Sequence, residues 1–363
     1  MLSKALVVGA YQRKLELLAE QGLDLHVAVP PGWAGHRLEH AHTRGYALHR
    51  TPIVFDGNFH LHFFPRFEAL ARELKPDLVH LDEEPYNLAT WLAWRTARSV
   101  GARSLFFSWQ NLLRRYPPPF AWFERAVLSG VDGALVGNAE AEAVWRAKGF
   151  RGPIAQVPQF GVDPDLYAPR AQIARPDPSE LIVGYAGRFV AEKGVDTLLL
   201  AVARTPDIQL RLIGSGPERR LYEYLIGAEG LADRVRIEPP RSSTAMPAFY
   251  GALDVLVLPS RTRPNWKEQF GRVVIEAMSC GVPAVVSDSG EPQHLIAADS
   301  DSPSGLRFQE DDVEALAAHL ARLRDDRALL ARLSAAARLR AQSVFSMRGI
   351  AESTARFYQA LVR

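Results

Sequence analysis

Cysteine is all but absent. Cys280 is the single one in 363 residues, so neither an intrachain disulfide framework nor a multi-cysteine metal site can be built. A charge imbalance is missing too: 43 Lys and Arg stand against 41 Asp and Glu, a net +2. That leaves no concentrated basic footprint of the kind nucleic-acid binding requires. No apolar run reaches the ~18 residues a membrane-spanning helix needs. The start of the chain is apolar only as far as Ala10, too short for a signal peptide, and reads as a buried strand; the default compartment is the cytoplasm. No solenoid-type repeat is present. What remains is the composition of an ordinary globular chain, 47% hydrophobic and 23% charged, long enough for two domains with a core each.

Strand and helix patterns alternate along the chain. In the first half, strands are read at 6–9, 25–29, 77–81, 103–107, 133–136 and 154–157, and helices at 12–19, 86–100, 119–128 and 139–148. The stretch Ala168 to Glu180 is proline-rich, lacks periodicity and reads as a linker. Alternation then restarts, with strands at 181–185, 208–213, 235–237, 255–258 and 283–287 and helices at 194–202, 218–228, 245–252 and 271–279. Helices at 311–324 and 326–342 follow, and an amphipathic helix at 347–362 carries Phe357, Tyr358 and Leu361 as apolar anchors. Such alternation predicts two α/β, Rossmann-like domains with parallel sheets covered on both faces. The expected limits are 1–168 together with 344–363 for the first and 180–343 for the second. In open sheets of this kind ligands sit beyond the carboxyl ends of the strands, and a cleft between the domains is the expected site.

The most chemical stretch is Lys267-Glu268-Gln269-Phe270-Gly271-Arg272, running on through Glu276 to Gly281 and Pro283. Glu268 and Glu276 are eight residues apart; on one helix that is two turns plus roughly 80° and about 12 Å of rise, so they would share a face poorly. The spacing fits Glu268 on an entry loop and Glu276 in the second turn of a helix. Gly271 allows close approach to the backbone, and the free N–H groups around Phe270 to Arg272 at the helix start favour an anion. Carboxylates seeking hydroxyls beside a helix end seeking an anion suit a ligand that is part sugar and part phosphate. A second stretch, Gly187-Arg188 followed by Lys193-Gly194, leaves the end of a strand and sets two cations near a helix start, an anion clamp. A third, Gly214-Ser215-Gly216-Pro217, is another close-approach turn.

In that order and at those separations the three stretches resemble the GT-B glycosyltransferases of family 4, retaining enzymes that use nucleotide-sugar donors. The resemblance is strongest over 181–297. It implies two facing Rossmann-like domains, with the last helix crossing back to the first. Arg188 and Lys193 would hold the donor diphosphate and stabilise it as it leaves, electrostatic work often done by a metal; no metal or other cofactor is expected. Glu276 would accept from the ribose hydroxyls. Glu268 would contact the transferred sugar, and Gly187, Gly214, Gln269, Phe270 and Gly271 would line the donor. Arg241, after the strand near 237, falls where such enzymes often hold the base. The implied mechanism is front-side attack, the departing phosphate taking the acceptor proton. The implied partners are a UDP- or GDP-sugar and a glycan, lipid-linked or small-molecule acceptor.

The first half departs from that pattern. Where many members have a Gly-Gly loop, this chain runs Gly9-Ala10-Tyr11-Gln12-Arg13, and where many have a His it has Trp109-Gln110-Asn111. Gln12, Gln110, Asn111, Glu83 and Glu84 are the acceptor-side candidates. The departure also keeps open a non-catalytic nucleotide-sugar-binding subunit. A nucleotide-sugar epimerase is the other alternative, but it needs acid–base side chains at the sugar carbon, and the second half shows no clear set. Asp299-Ser300-Asp301 matches a metal-chelating pattern but reads as a solvated loop. Seven of ten His lie in the first 62 residues without a clear third ligand. Trp109, Arg114, Arg115, Tyr116, Phe120, Trp122 and Phe123 mix basic and aromatic groups, read as a packed helix with a basic rim or as a peripheral contact with the inner membrane face.

Overall fold

The computed structural model describes residues 1–169 and 179–363. The chain divides into two compact units, Met1–Gly161 with Met347–Arg363, and Val162–Ser346. The expected linker falls largely on 170–178, outside the described residues. The expected first-domain limit at 168 is corrected to 161. Val162 pairs with Ser346, the Tyr167 hydroxyl donates to the Ser243 carbonyl at 3.1 Å, and the Tyr167 carbonyl accepts from Ser279 Oγ at 2.8 Å. Those bonds tie 162–169 into the second unit, and residues 344–346 stay there as well.

In the first unit β1 (His26–Val29) pairs in parallel with β4 (Ala47–Arg50), after a small antiparallel hairpin of β2 (Gly32–Trp33) and β3 (His36–Arg37). A parallel run follows of β5 (Leu78–Leu81), β6 (Arg103–Ser108), β7 (Gly133–Val136) and β8 (Ile154–Gln156). Leu2 joins the two groups by parallel bridges to Ala28 in β1 and Leu81 in β5. The strand expected at 6–9 is therefore corrected: Ala5–Val7 and Gly9–Gln12 are 3-10 turns, and the pairing falls on Leu2, whose N–H donates to the His80 carbonyl and whose carbonyl accepts from Asp82 N–H, both at 2.9 Å. A short apolar run suits a buried turn as well as a buried strand; Leu6 and Val7 are indeed buried.

Alternation along β6 and β7 sorts the core. Phe106, Ala134 and Val136 face one cluster with Trp94, Val127 and Trp145, while Leu105, Phe107 and Leu135 face the other with Leu15, Leu18 and Tyr358. The second face is covered by helices Arg13–Ala19 and Met347–Val362. A Cβ on Gly133 would stand 2.9 Å from a Leu361 methyl and 3.1 Å from the Phe357 ring, so this glycine lets the last helix lie close on β7.

The second unit has one six-stranded parallel sheet of β9 (Leu181–Ala186), β10 (Ile208–Ile213), β11 (Val235–Glu238), β12 (Val255–Leu258), β13 (Ala284–Ser287) and β14 (Gly305–Phe308). Its order is β11-β10-β9-β12-β13-β14, which in order of appearance is 3-2-1-4-5-6, the doubly wound arrangement. All four residues of β12 are at most 1% exposed, as a central parallel strand covered on both faces requires. Burial of each such side chain contributes about 1.5–3 kcal/mol. The sheet is flanked by helices Val195–Arg204, Arg219–Ala228, Arg272–Ser279 and Val313–Asp325, with Arg327–Val344 against Arg272–Ser279.

Candidate active site

In a 3-2-1-4 sheet the strands numbered 1 and 4 send their connections in opposite directions, and the crevice at their carboxyl ends is where ligands bind. Here those strands are β9 and β12. Lys193 follows the first and Ser260 and Glu268 follow the second, and the three meet. Lys193 Nζ donates to Glu268 Oε2 at 2.5 Å, and Ser260 Oγ donates to the same oxygen at 2.8 Å. Ser260 is fully buried and Glu268 7% exposed. The Lys193 ammonium also stands 5.0 Å from the centre of the Trp266 ring, a favourable placement for a cation. The loop after β13 closes round the back, Glu291 N–H donating to the Glu268 carbonyl at 3.2 Å.

Glycines set how tightly these loops converge. Gly194, at φ +63°, ends the turn Ala191–Lys193 and opens helix Val195–Arg204; a Cβ there would stand 2.0 Å from the Pro259 carbonyl oxygen. A Cβ on Gly214 would stand 1.9 Å from the Gly187 carbonyl oxygen, so the turns after β9 and β10 touch. Arg188 is the exposed cation of the pair: its side chain is 68% exposed, with Glu192 at 3.9 Å. Arg261 fastens the loop after β12, bonding Asp196 at 2.8 Å, Thr197 at 2.7 Å and, more closely, Asp311.

The expected split of the two glutamates is what the structure has. Glu268 lies on the loop, and Glu276 in the second turn of Arg272–Ser279, which opens at Gly271 with φ +82°. Glu276 is 7% exposed, and both its oxygens are engaged: Tyr250 hydroxyl donates to one at 2.7 Å and Arg272 Nε sits 3.1 Å from the other. Burial pushes its pKa above the usual carboxylate range, against the pull of Arg272, Tyr250 and Tyr167. Changing Glu276 to Ala is expected to weaken nucleotide-sugar binding and, by leaving the Tyr250 hydroxyl buried and unpaired, to cost about 1–3 kcal/mol of stability; isothermal titration and urea unfolding measure the two. Gln269 is exposed and Phe270 buried against Phe345, ring centres 6.3 Å apart, so of the Phe270 side chain and backbone only the latter is placed to meet a ligand. Arg241 is ion-paired to Glu238, which Arg211 also holds at 2.6 Å.

The acceptor-side candidates are more committed than their types suggest. Gln12 is fully buried; its amide donates to the Leu6 carbonyl at 3.0 Å and the Glu39 carbonyl at 2.6 Å and accepts from Ala41 N–H at 3.1 Å. It clamps the loop. Gln110 donates to the Leu112 carbonyl at 3.0 Å and accepts from Tyr116 hydroxyl at 3.1 Å, so it too is a brace. Asn111 donates to Glu140 at 3.2 Å. Glu83 is ion-paired with Lys4; burial opposes its charge, but Lys4 and then His62 hold its pKa down at about 2. Glu84 accepts from Ser108 Oγ at 2.6 Å and Trp109 N–H at 3.0 Å.

Burial pushes Glu84 up to about 7, against Ser108 and the Trp109 N–H. A carboxyl raised in the fold lends stability below its unfolded pKa and loses it as pH climbs through the folded one. The difference between parent and Glu84→Gln in urea-unfolding free energy should therefore fall between pH ~4.5 and ~7, by at most about 3 kcal/mol. A flat difference across that window would show that Glu84 ionises normally.

The remaining signals resolve simply. Asp299 pairs with Arg307 at 2.9 Å on the surface, and among the described residues no group of three or more His, Cys, Asp or Glu is placed to hold a metal ion. His26 and His49 face each other at 2.9 Å. Phe120 and Phe123 are half-buried on helix Phe120–Gly130, whereas Trp122 is 61% exposed and Arg114 and Arg115 are exposed. No described helix is long and apolar enough to cross a membrane. Ser260, Trp266 and Tyr250 went unnoticed in the sequence. Ser260 had one faint signal, its place just beyond the apolar run of β12.

Two α/β units with parallel sheets, one carrying a cation–carboxylate cluster at its switch point, define a two-domain α/β protein. Comparison with known proteins narrows this. The profile described as "Glycosyl transferases group 1" matches residues 170–340, and "Glycosyl transferase 4-like domain" matches 9–159. The lipopolysaccharide core biosynthesis glycosyltransferase LpsD of Rhizobium meliloti is 28% identical over 93% of this chain and 90% of its own length. The D-inositol 3-phosphate glycosyltransferase of Stackebrandtia nassauensis is 33% identical over 72% of this chain, which spans 63% of that protein. Among solved structures, sucrose-phosphate synthase from Thermosynechococcus elongatus superposes with TM-score 0.75 at 24% identity, over 99% of this chain and 98% of that one. Anabaena Alr3699/HepE in complex with UDP gives 0.75 at 17%, with the same coverage. The chain belongs to the GT-B glycosyltransferases of family 4 type and is a glycosyltransferase.

Proposed function

We propose that this glycosyltransferase moves a sugar from a UDP- or GDP-sugar to a glycan, lipid-linked or small-molecule acceptor, with retention at the anomeric carbon and without a metal. The observation that carries the donor half is the Lys193–Glu268–Ser260 cluster at the switch point of the second sheet. Lys193 and Arg188 take the diphosphate, neutralising the charge that builds up as it leaves. Glu268, fixed by Ser260, accepts from hydroxyls of the transferred sugar. The phosphate oxygen freed on departure receives the acceptor proton, so no side-chain base is required. The first unit is the candidate for acceptor recognition.

An NMR time course with UDP-, GDP- and ADP-sugars in EDTA, with and without simple sugar acceptors, tests this. The expected result is slow release of the nucleoside diphosphate and an α-configured product from an α-donor. A β-product or an absolute requirement for a divalent ion removes the mechanism, and an epimerised donor moves the assignment to an epimerase.

A further inference from the structure

Lys193 has two partners of different kinds. Among the described residues its ammonium makes one hydrogen bond, to Glu268 Oε2, and it lies over the Trp266 ring, the nitrogen 5.0 Å from the ring centre. The loop that carries Trp266 is pinned along its length. Arg261 N–H donates to the Glu192 carbonyl at 2.8 Å, and the Arg261 guanidinium bonds Asp311. Thr262 gives its N–H and its hydroxyl to the two oxygens of Glu310, at 2.6 and 2.5 Å, and Glu310 N–H donates to Asp288 at 2.9 Å. Arg263 and Trp266 then exchange both backbone bonds, at 2.7 and 3.1 Å, and close a hairpin round Pro264 and Asn265. Glu310 and Asp311 lie beyond β14, outside every motif of the sequence, yet they hold the base of this hairpin. The place of the half-buried ring is therefore set by the fold and not by Lys193.

Donor binding treats the two partners differently. In the proposed reaction Glu268 accepts from hydroxyls of the transferred sugar and Lys193 meets the diphosphate, so the bond between them weakens as each takes up its task. A lysine ammonium is a compact point charge on a flexible stem, and Glu268 alone would no longer fix it. The ring would. An aromatic face attracts an ammonium through its quadrupole and leaves the three N–H donors to phosphate oxygens. A second carboxylate in the same place would offset the charge that the leaving diphosphate needs; the indole carries none.

We infer that Trp266 is a positioning residue: with donor bound, its ring holds the Lys193 ammonium at the diphosphate after Glu268 has turned to the sugar. The role rests on the donor reading of Lys193. The first measurement is carbon–proton NMR of the lysine ε-methylene groups in the full chain. There are six lysines, and loss of one signal in Lys193→Ala assigns it. Ring current should hold the Lys193 signal upfield of its position in Trp266→Leu, both without nucleotide and with saturating UDP or GDP. The second measurement is release of nucleoside diphosphate from UDP-glucose, GDP-mannose or ADP-glucose, with donor affinity titrated on the same samples. Trp266→Leu is expected to lower kcat about tenfold with donor affinity changed less than about threefold, and Trp266→Phe, which keeps a ring face, to stay within about threefold of the parent kcat. In a Lys193→Ala background there is no ammonium to hold, so adding Trp266→Leu should change kcat less than about twofold. A full loss in that background, or equal losses in the Leu and Phe variants, would mark the ring as mere packing and overturn the inference. An upfield shift that collapses when UDP or GDP binds overturns it alone. No binding of UDP or GDP to the parent sinks the donor reading and takes the inference with it.

Discussion

Replacing Lys193 by alanine is expected to lower kcat by about 10²–10³, with donor affinity falling less than tenfold. On the proposed donor chemistry, charge on the leaving diphosphate grows as the glycosidic bond breaks, so a cation beside it matters more in the transition state than in the ground state. Lys193 is positioned for that work by three contacts at once, the Glu268 carboxylate at 2.5 Å, the Trp266 ring and the tight turn that ends at Gly194. Arg188 has none of this restraint, its side chain being 68% exposed, so Arg188→Ala is expected to cost less. Steady-state kinetics and direct donor titration separate the effects. Because Lys193 and Glu268 share one bond, the double variant Lys193→Ala with Glu268→Ala should lose much less than the product of the single losses. A parent-like kcat in Lys193→Ala would be fatal to the site assignment.

The second large effect is on stability. Gly194→Ala places a methyl 2.0 Å from the Pro259 carbonyl oxygen, at a residue whose φ of +63° disfavours any side chain. The left-handed backbone alone costs about 1–2 kcal/mol, and the clash is with main chain, which cannot rotate away. A total near 3 kcal/mol is expected, which lowers Tm by roughly 6–12 °C in a unit of this size. Turnover should fall with it, since the same shift carries Lys193 off Glu268. Differential scanning calorimetry reads the first and the transfer assay the second. An unchanged Tm would mean that the loops after β9 and β12 are not held together as described.

Much of the second unit could be read before any coordinates. β9, β10, β12 and β13 are apolar runs, and helix Arg272–Ser279 began within one residue of the expected place because Gly271 marks it. What escaped had weaker local signatures. β4, Ala47–Arg50, reads Ala-Leu-His-Arg and is only half buried, so no alternation marks it. β14, Gly305–Phe308, is an edge strand with Arg307 exposed. The strand at Leu2 was mistaken for one at 6–9 because pairing is decided by neighbours seventy-nine residues on, at Leu81, and not by the run itself. The same holds for the site. Lys193 and Glu268 carried the right chemistry, but their bond spans 75 residues, and Ser260 is an unremarkable serine until β12 places it. In the first unit, Gln12 and Gln110 were acceptor-side candidates, and only the fold shows that their amide N–H groups donate to backbone carbonyls.

The division of the chain has a consequence for how it is made. The second unit is a continuous guest, Val162–Ser346, entered and left at neighbouring points where Val162 N–H bonds the Phe345 carbonyl at 2.9 Å. The first unit is a host in two pieces, and Met347, Ile350, Ala351, Ala355 and Tyr358 belong to its core. During synthesis, where domains fold as units in the order they emerge, the guest therefore has its whole core before the host does. The host waits with the β6–β7 face that holds Leu105 and Leu135 only partly covered, by helix Arg13–Ala19, until residues beyond Ser346 arrive. The half of the protein translated first is thus the half completed last.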